Sequence, residues 1–245
     1  MIKVQSVSKW YGSVKAVEDI SFDLSPNEII GFVGPNGAGK STVLKMLATY
    51  LLPTEGSILV MDLNAVDHPL SVRRKIGYLS GDTPLYQNMR VDKFLKFCGK
   101  ARGLNGDELK TNLNWVIEVC GLSPHLYKRV NQCSTGFRQR IGLGAALIHN
   151  PPILLLDEPT HGFDPLQVQA FRELLHTLKD NRVILFSSHI IQEVAALSDR
   201  VLIINNGQLL GDGRLPDLAE QTGQGTNDLE AIFTHLVQKS EVANA

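Results

Sequence analysis

The chain has 245 residues, 43% hydrophobic and 20% charged, enough for one large α/β domain or two small ones and too apolar for a disordered chain. No apolar run approaches the roughly 18 residues a membrane span needs, no secretion-signal core opens the chain, and three cysteines lack metal or disulfide spacing, so a reducing cytoplasm is expected. A formal net charge of -1 argues against a general nucleic-acid binder, although residues 66–140 hold 13 of the 24 Lys and Arg against 6 of the 25 acids.

Apolar and polar residues alternate over 2–7 and again over 17–24, the period of half-buried strands. An apolar run at 28–33 predicts another strand. It is broken by Gly34, Pro35, Gly37 and Gly39, after which Val43, Leu44, Leu47 and Leu51 fall at helical spacing over 41–51. Strands follow at 56–61 and 76–79. From 91 to 149 the patterning turns helical, over 91–101, 107–120 and 136–148, which predicts a helical insert at about 82–150.

Strand signals return at 153–156, 183–187 and 201–205, separated by helices over 165–179 and 190–197. Alternation of this kind predicts a mainly parallel, buried sheet flanked by helices, preceded by an antiparallel β part. Asn206-Gly207 between apolar runs predicts a type I′ turn and a local antiparallel pair. Past about 219 the chain is polar, except that Leu229, Ile232, Phe233, Leu236 and Val237 share one face of a short helix; residues 238–245 are expected to be disordered.

Gly34-Pro35-Asn36-Gly37-Ala38-Gly39-Lys40-Ser41 fits the phosphate-loop pattern in full and lies between a strand and a helix, where its mechanism requires it. The glycines let backbone N–H groups turn inward around phosphate oxygens. Lys40 is placed to reach the β- and γ-phosphates of ATP, Ser41 to offer a hydroxyl to Mg²⁺, and Thr42 to add a donor in the first helical turn.

The strand at 153–156 ends in Asp157 and Glu158. Strand ends of this kind face the ligand crevice of an open α/β sheet, so both carboxylates are expected opposite the phosphate loop. Asp157 suits the Mg²⁺ shell, and Glu158 can polarise the attacking water. Ser187-Ser188-His189 ends the next strand, and the His189 imidazole can hydrogen-bond the γ-phosphate or that water; the two serines equally suit the cap of the following helix.

These residues together resemble one family, the ATP-binding subunits of ABC transporters, over 2 to about 237, read as a single domain. Where that family carries a sequence close to Leu-Ser-Gly-Gly-Gln, this chain has Cys133-Ser134-Thr135-Gly136-Phe137, matching at Ser134 and Gly136. The resemblance implies that these two contact the γ-phosphate bound by a second ATPase subunit, so that two ATP molecules lie in a dimer. A homodimer is the first reading, and a heterodimer stays open. Tyr11, beside Trp10, corresponds to the aromatic that stacks on adenine, and Asp164 to a residue that communicates across the dimer. Gly81 stands where the family has Gln or Glu at the metal, and His161 falls at a variable position and is given no role.

The same resemblance implies a multi-span membrane permease as partner and a peripheral location on the cytoplasmic side of the membrane. The stretch 159–165 and the tail at 229–233 are most similar to the bacterial export branch. A soluble ABC ATPase of cofactor-assembly type, without transport, is the alternative reading.

Overall fold

The computed structural model describes residues 1–82, 84–223 and 228–243. The alternating N-terminal residues form β1 (Ile2–Tyr11) and β2 (Val14–Leu24), an antiparallel pair closed at Gly12, whose φ is +59°. β3 (Glu28–Val33) runs into the glycine loop and then α1 (Lys40–Leu47). β4 (Glu55–Val60) and β5 (Leu63–Asn64) follow, then α2 (Pro69–Lys75) and β6 (Ile76–Leu79).

The insert holds α3 (Val91–Ala101), α4 (Gly106–Val119) and α5 (Thr135–Leu147). Strand and helix then alternate through β7 (Ile153–Asp157), α6 (Pro165–Leu178), β8 (Val183–Ser188), α7 (Ile191–Leu197) and β9 (Arg200–Asn205). β10 (Gln208–Gly213), α8 (Leu215–Thr222) and α9 (Leu229–Ala243) complete the chain.

The strands make an antiparallel sheet of order β2-β1-β4-β5 and a second sheet of order β10-β9-β3-β8-β7-β6, parallel except for β10. Asn206 (φ +46°) and Gly207 (φ +80°) make the two-residue turn that sends β10 back along β9.

Central strands send alternate side chains into two cores, as their pleat requires. Ile29, Val33, Leu154, Leu156, Ile184 and Phe186 pack toward the helical insert. Ile30, Phe32, Ile153, Leu155, Val183 and Leu185 pack toward the antiparallel sheet and α1. Each such side chain, fully buried, contributes roughly 1.5–3 kcal/mol. Covered on both faces, the parallel sheet leaves the ends of its strands as the accessible edge.

Two expectations differ from the structure. The helix read over 41–51 stops at Leu47, because Thr49 adopts a left-handed φ of +61° and the turn closes through Thr49 N–H to Met46 O (3.0 Å) and Tyr50 N–H to Lys45 O (2.8 Å). Arg73 holds that strained β-branched residue, donating to Thr49 Oγ1 at 2.7 Å and to Thr49 O at 2.9 Å. At the other end, α9 takes in 238–243 of the stretch expected to be disordered, and 244–245 lie outside the described residues. Its buried Leu229 and Ile232 and partly buried Phe233 and Leu236 anchor α9 on the core.

Candidate functional site

β3 delivers the glycine loop to the carboxyl edge of the parallel sheet. A Cβ on Gly34 would collide with Ile204 O of neighbouring β9, and Gly39 takes a φ of +108° with Ala16 O only 2.6 Å from where a Cβ would stand. Neither position accepts a side chain, so the backbone can turn tightly there. Lys40 opens α1 and folds back over the loop, its Nζ donating to Gly34 O (2.6 Å) and Pro35 O (3.1 Å). Burial pushes the Lys40 ammonium below the ordinary lysine range, while Glu158 and Asp157 oppose that shift.

β7 and β8 bring the remaining groups. Asp157 pairs in register with Ser187, and Val33 with Ser188, so the ends of β3, β8 and β7 stand side by side. Asp157 is buried and accepts from Ser41 Oγ at 3.0 Å and from Ser187 Oγ at 2.7 Å, both on Oδ1. Glu158 takes a left-handed φ of +50°, and Ser187 Oγ accepts its backbone N–H at 3.1 Å. Strain of this kind persists where the surroundings over-determine it. The Glu158 carboxylate lies 2.8 Å from His189 Nδ1 through Oε2 and 4.0 Å from Lys40 Nζ through Oε1.

Lys40, Glu158 and His189 border one cavity of about 340 Å³, lined by Ala16, residues 36–42, Glu158, His161 and His189, with Asp157 buried behind Ser41. Its floor is cationic and rich in backbone donors, and its wall carries a carboxylate paired to an imidazole. That polarity fits a polyphosphate with an attacking water.

The donor set also fits Mg²⁺. Ser41 Oγ and Asp157 Oδ1 are hard oxygen ligands 3.0 Å apart. Among the described residues no group of three His, Cys, Asp or Glu could hold a metal by itself. Two protein oxygens suit an ion that completes its shell with phosphate oxygens and water.

The family model described as ABC transporter matches residues 17–161, more than half of the chain. The chain belongs to the ABC transporter family. It is 40% identical over 222 residues to the ABC transporter ATP-binding protein NatA of Bacillus subtilis, covering 90% of this chain and 89% of NatA. It is 36% identical to the bacitracin transport ATP-binding protein BcrA of Bacillus licheniformis, covering 86% of this chain and 68% of BcrA. Among solved structures, the dimeric structure of MJ0796, a bacterial ABC transporter cassette, matches with a TM-score of 0.80 at 25% identity, over 87% of this chain and 98% of that one.

As an ATP-binding subunit of the ABC transporter family, the chain keeps Ser134, Gly136, Asp164 and Tyr11 away from the cavity wall. Ser134 caps α5, its Oγ accepting the Phe137 N–H at 3.3 Å, and Gly136 follows in the first turn. A Cβ at Gly136 would stand 2.7 Å from Gln167 Oε1 of α6, so the two helix starts are in close contact. Asp164 caps α6 in turn, accepting the Gln167 N–H at 2.9 Å. Tyr11 is 47% exposed at the end of β1, paired with Val14 two residues before the cavity residue Ala16, whereas Trp10 pairs with Lys15.

His161, given no role from sequence, stands on the cavity wall because its N–H turns back to Glu158 O at 3.2 Å. Ser187, read only as a helix cap, is instead the buried link between Asp157 and the Glu158 backbone. A side chain at Gly81 would start 3.6 Å from Asp157 O and 4.0 Å from Asp157 Oδ2, in ordinary van der Waals contact, so the family side chain that is missing here would stand beside the carboxylate of Asp157. The three cysteines are free, and burial lifts the Cys98 thiol to about 11, the Cys120 thiol to about 12 and the Cys133 thiol upward, which makes them poor nucleophiles.

Proposed function

We propose that this chain is the ATP-hydrolysing subunit of an exporter whose transmembrane part is a separate multi-span permease, and that it works as a dimer on the cytoplasmic face of the membrane. One observation carries the reading: Lys40, Ser41, Asp157, Glu158 and His189 meet at the ends of three adjacent strands. Lys40 exchanges Gly34 O and Pro35 O for β- and γ-phosphate oxygens, while Gly34, residues 36–39 and Thr42 supply donors around them and Pro35 shapes the turn. Tyr11 stacks on the adenine.

Ser41 and Asp157 would hold Mg²⁺, which would supply charge neutralisation on the phosphate oxygens. Glu158 takes the proton of the attacking water as general base. His189, hydrogen-bonded to Glu158, orients that carboxylate and can shift to the γ-phosphate. Ser134, Gly136 and Asp164, all at helix starts away from the cavity wall, serve the nucleotide held by a second copy.

Several facts support the coupling half of the proposal. No helix among the described residues is long and apolar enough to cross a membrane, so transport needs another chain or segment. Tyr86 (56% exposed) and Phe97 (46%) form an edge-to-face pair beside a cleft of about 450 Å³ bordered by Lys45, Tyr50 and Phe94. Exposed aromatic surface of this kind marks an interaction site, and it offers the permease a place on the insert. The bacitracin-transport relative supports transport as the work driven, and the similarity of 159–165 and 229–233 to the export branch is the ground for its direction.

A shared site makes activity depend on encounter. The specific ATPase activity of the purified chain is therefore expected to rise with protein concentration and then level off as the dimer fills. Activity per chain that stays constant from nanomolar to tens of micromolar contradicts a site completed by a second subunit.

A further inference from the structure

Glu158 and His189 come from different segments, so their 2.8 Å contact is only as well defined as the placement of one segment on the other. The Glu158 backbone, at φ +50°, would relax if its loop were released. A second carboxylate, Glu193 of α7, reaches both segments. Its Oε2 accepts from Thr160 Oγ1 at 2.6 Å and from Ser188 Oγ at 3.1 Å.

Thr160 follows Glu158 by two residues, and Ser188 immediately precedes His189. Thr160 is 5% exposed and Ser188 0%, so water cannot readily replace the acceptor that satisfies both hydroxyls. Ser188 Oγ also accepts the Ile190 N–H at 3.0 Å, which locks the entry to α7 to the same point. Glu193 does not border the nucleotide cavity. One carboxylate oxygen of Glu193 thus joins the Glu158 loop to the His189 segment, beyond the backbone link that Ser187 makes.

We propose that Glu193 is a positioning residue for ATP hydrolysis, setting the Glu158–His189 pair through Thr160 and Ser188. The inference rests on reading that pair as the hydrolytic one. It differs from a general structural role in a specific way: an amide carbonyl can accept both hydroxyl protons, so shape and acceptor matter and charge does not.

The test is steady-state ATP hydrolysis and ATP binding by E193A, E193Q, T160V and the double variant T160V/E193A, with E158Q alongside. E193A is expected to lower kcat about 10- to 100-fold, with KM for ATP within about twofold, because misplacement affects the reacting geometry more than binding. E193Q recovers most of the rate. T160V slows the enzyme, and T160V/E193A is no slower than E193A, since both remove the same link.

Wild-type kcat in E193A, or E193Q as slow as E193A, overturns the inference. If E193A fails to fold, T160V carries the test, and wild-type kcat in folded T160V overturns it equally. Inactive E158Q together with fully active E193A defeats only the Glu193 role, whereas wild-type turnover in E158Q defeats the hydrolytic pair on which it rests.

Discussion

Replacing Glu158 with Gln is expected to lower ATP turnover about 10²- to 10⁴-fold while ATP stays bound, the range a placed general base contributes. The amide matches the carboxylate in shape but cannot accept the water proton. It also removes a negative charge that lies 4.0 Å from Lys40 Nζ, on the cavity that receives a polyanion. Repulsion between Glu158 and the γ-phosphate disappears, so the nucleotide-bound dimer accumulates instead of reopening. Light scattering on E158Q with ATP should report a stable dimer, and phosphate release should be nearly absent. Turnover at the wild-type rate removes Glu158 from the chemistry.

Lys40→Ala produces the largest loss in binding. Lys40 is 5% exposed, and its ammonium is held over the loop by two carbonyl oxygens rather than by a full ion pair. Charge-assisted hydrogen bonds contribute about 1.5–3 kcal/mol each, so losing those to the phosphates should weaken ATP about 10²-fold or more. The carbonyls left behind border an open cavity where water can serve them, and the fold should survive. Calorimetric titration with ATP checks the affinity, and a thermal melt without nucleotide checks the fold. Unchanged affinity contradicts the phosphate-loop assignment.

Periodic patterning and residue chemistry made the central strands and the phosphate loop readable from the sequence. The run at 28–33, the glycines after it and the helical spacing from Val43 each had one reasonable structure, and they fold that way. Thr49 did not: a β-branched residue in the left-handed region is stabilised by an Arg fork 24 residues away, which no local pattern reveals. The turn into β5 was hidden for a similar reason, since Met61 (φ +49°) and Asp62 (φ +63°) take positive φ without a glycine.

The site divides along the same line. Lys40, Ser41, Asp157, Glu158 and His189 were legible because each belongs to a local pattern with a known chemical use. Their company was not. That Ser187 stands beside Asp157 follows from strand register, and that His161 reaches the cavity follows from a loop turning on a strained Glu158. Ser187-Ser188 reads locally as a helix cap, and Ser188 does accept the Ile190 N–H. Only the three-dimensional structure adds that Glu193 joins Ser188 to Thr160.

The most direct measurement for a transport subunit is recovery of the tagged chain from detergent-solubilised cells under ATP, with every co-purifying chain identified by mass. A multi-span membrane protein in stoichiometric yield is the expected result. Recovery of soluble partners or of the homodimer alone, with ATP hydrolysis intact, would contradict the transport reading and favour a soluble ABC ATPase of cofactor-assembly type.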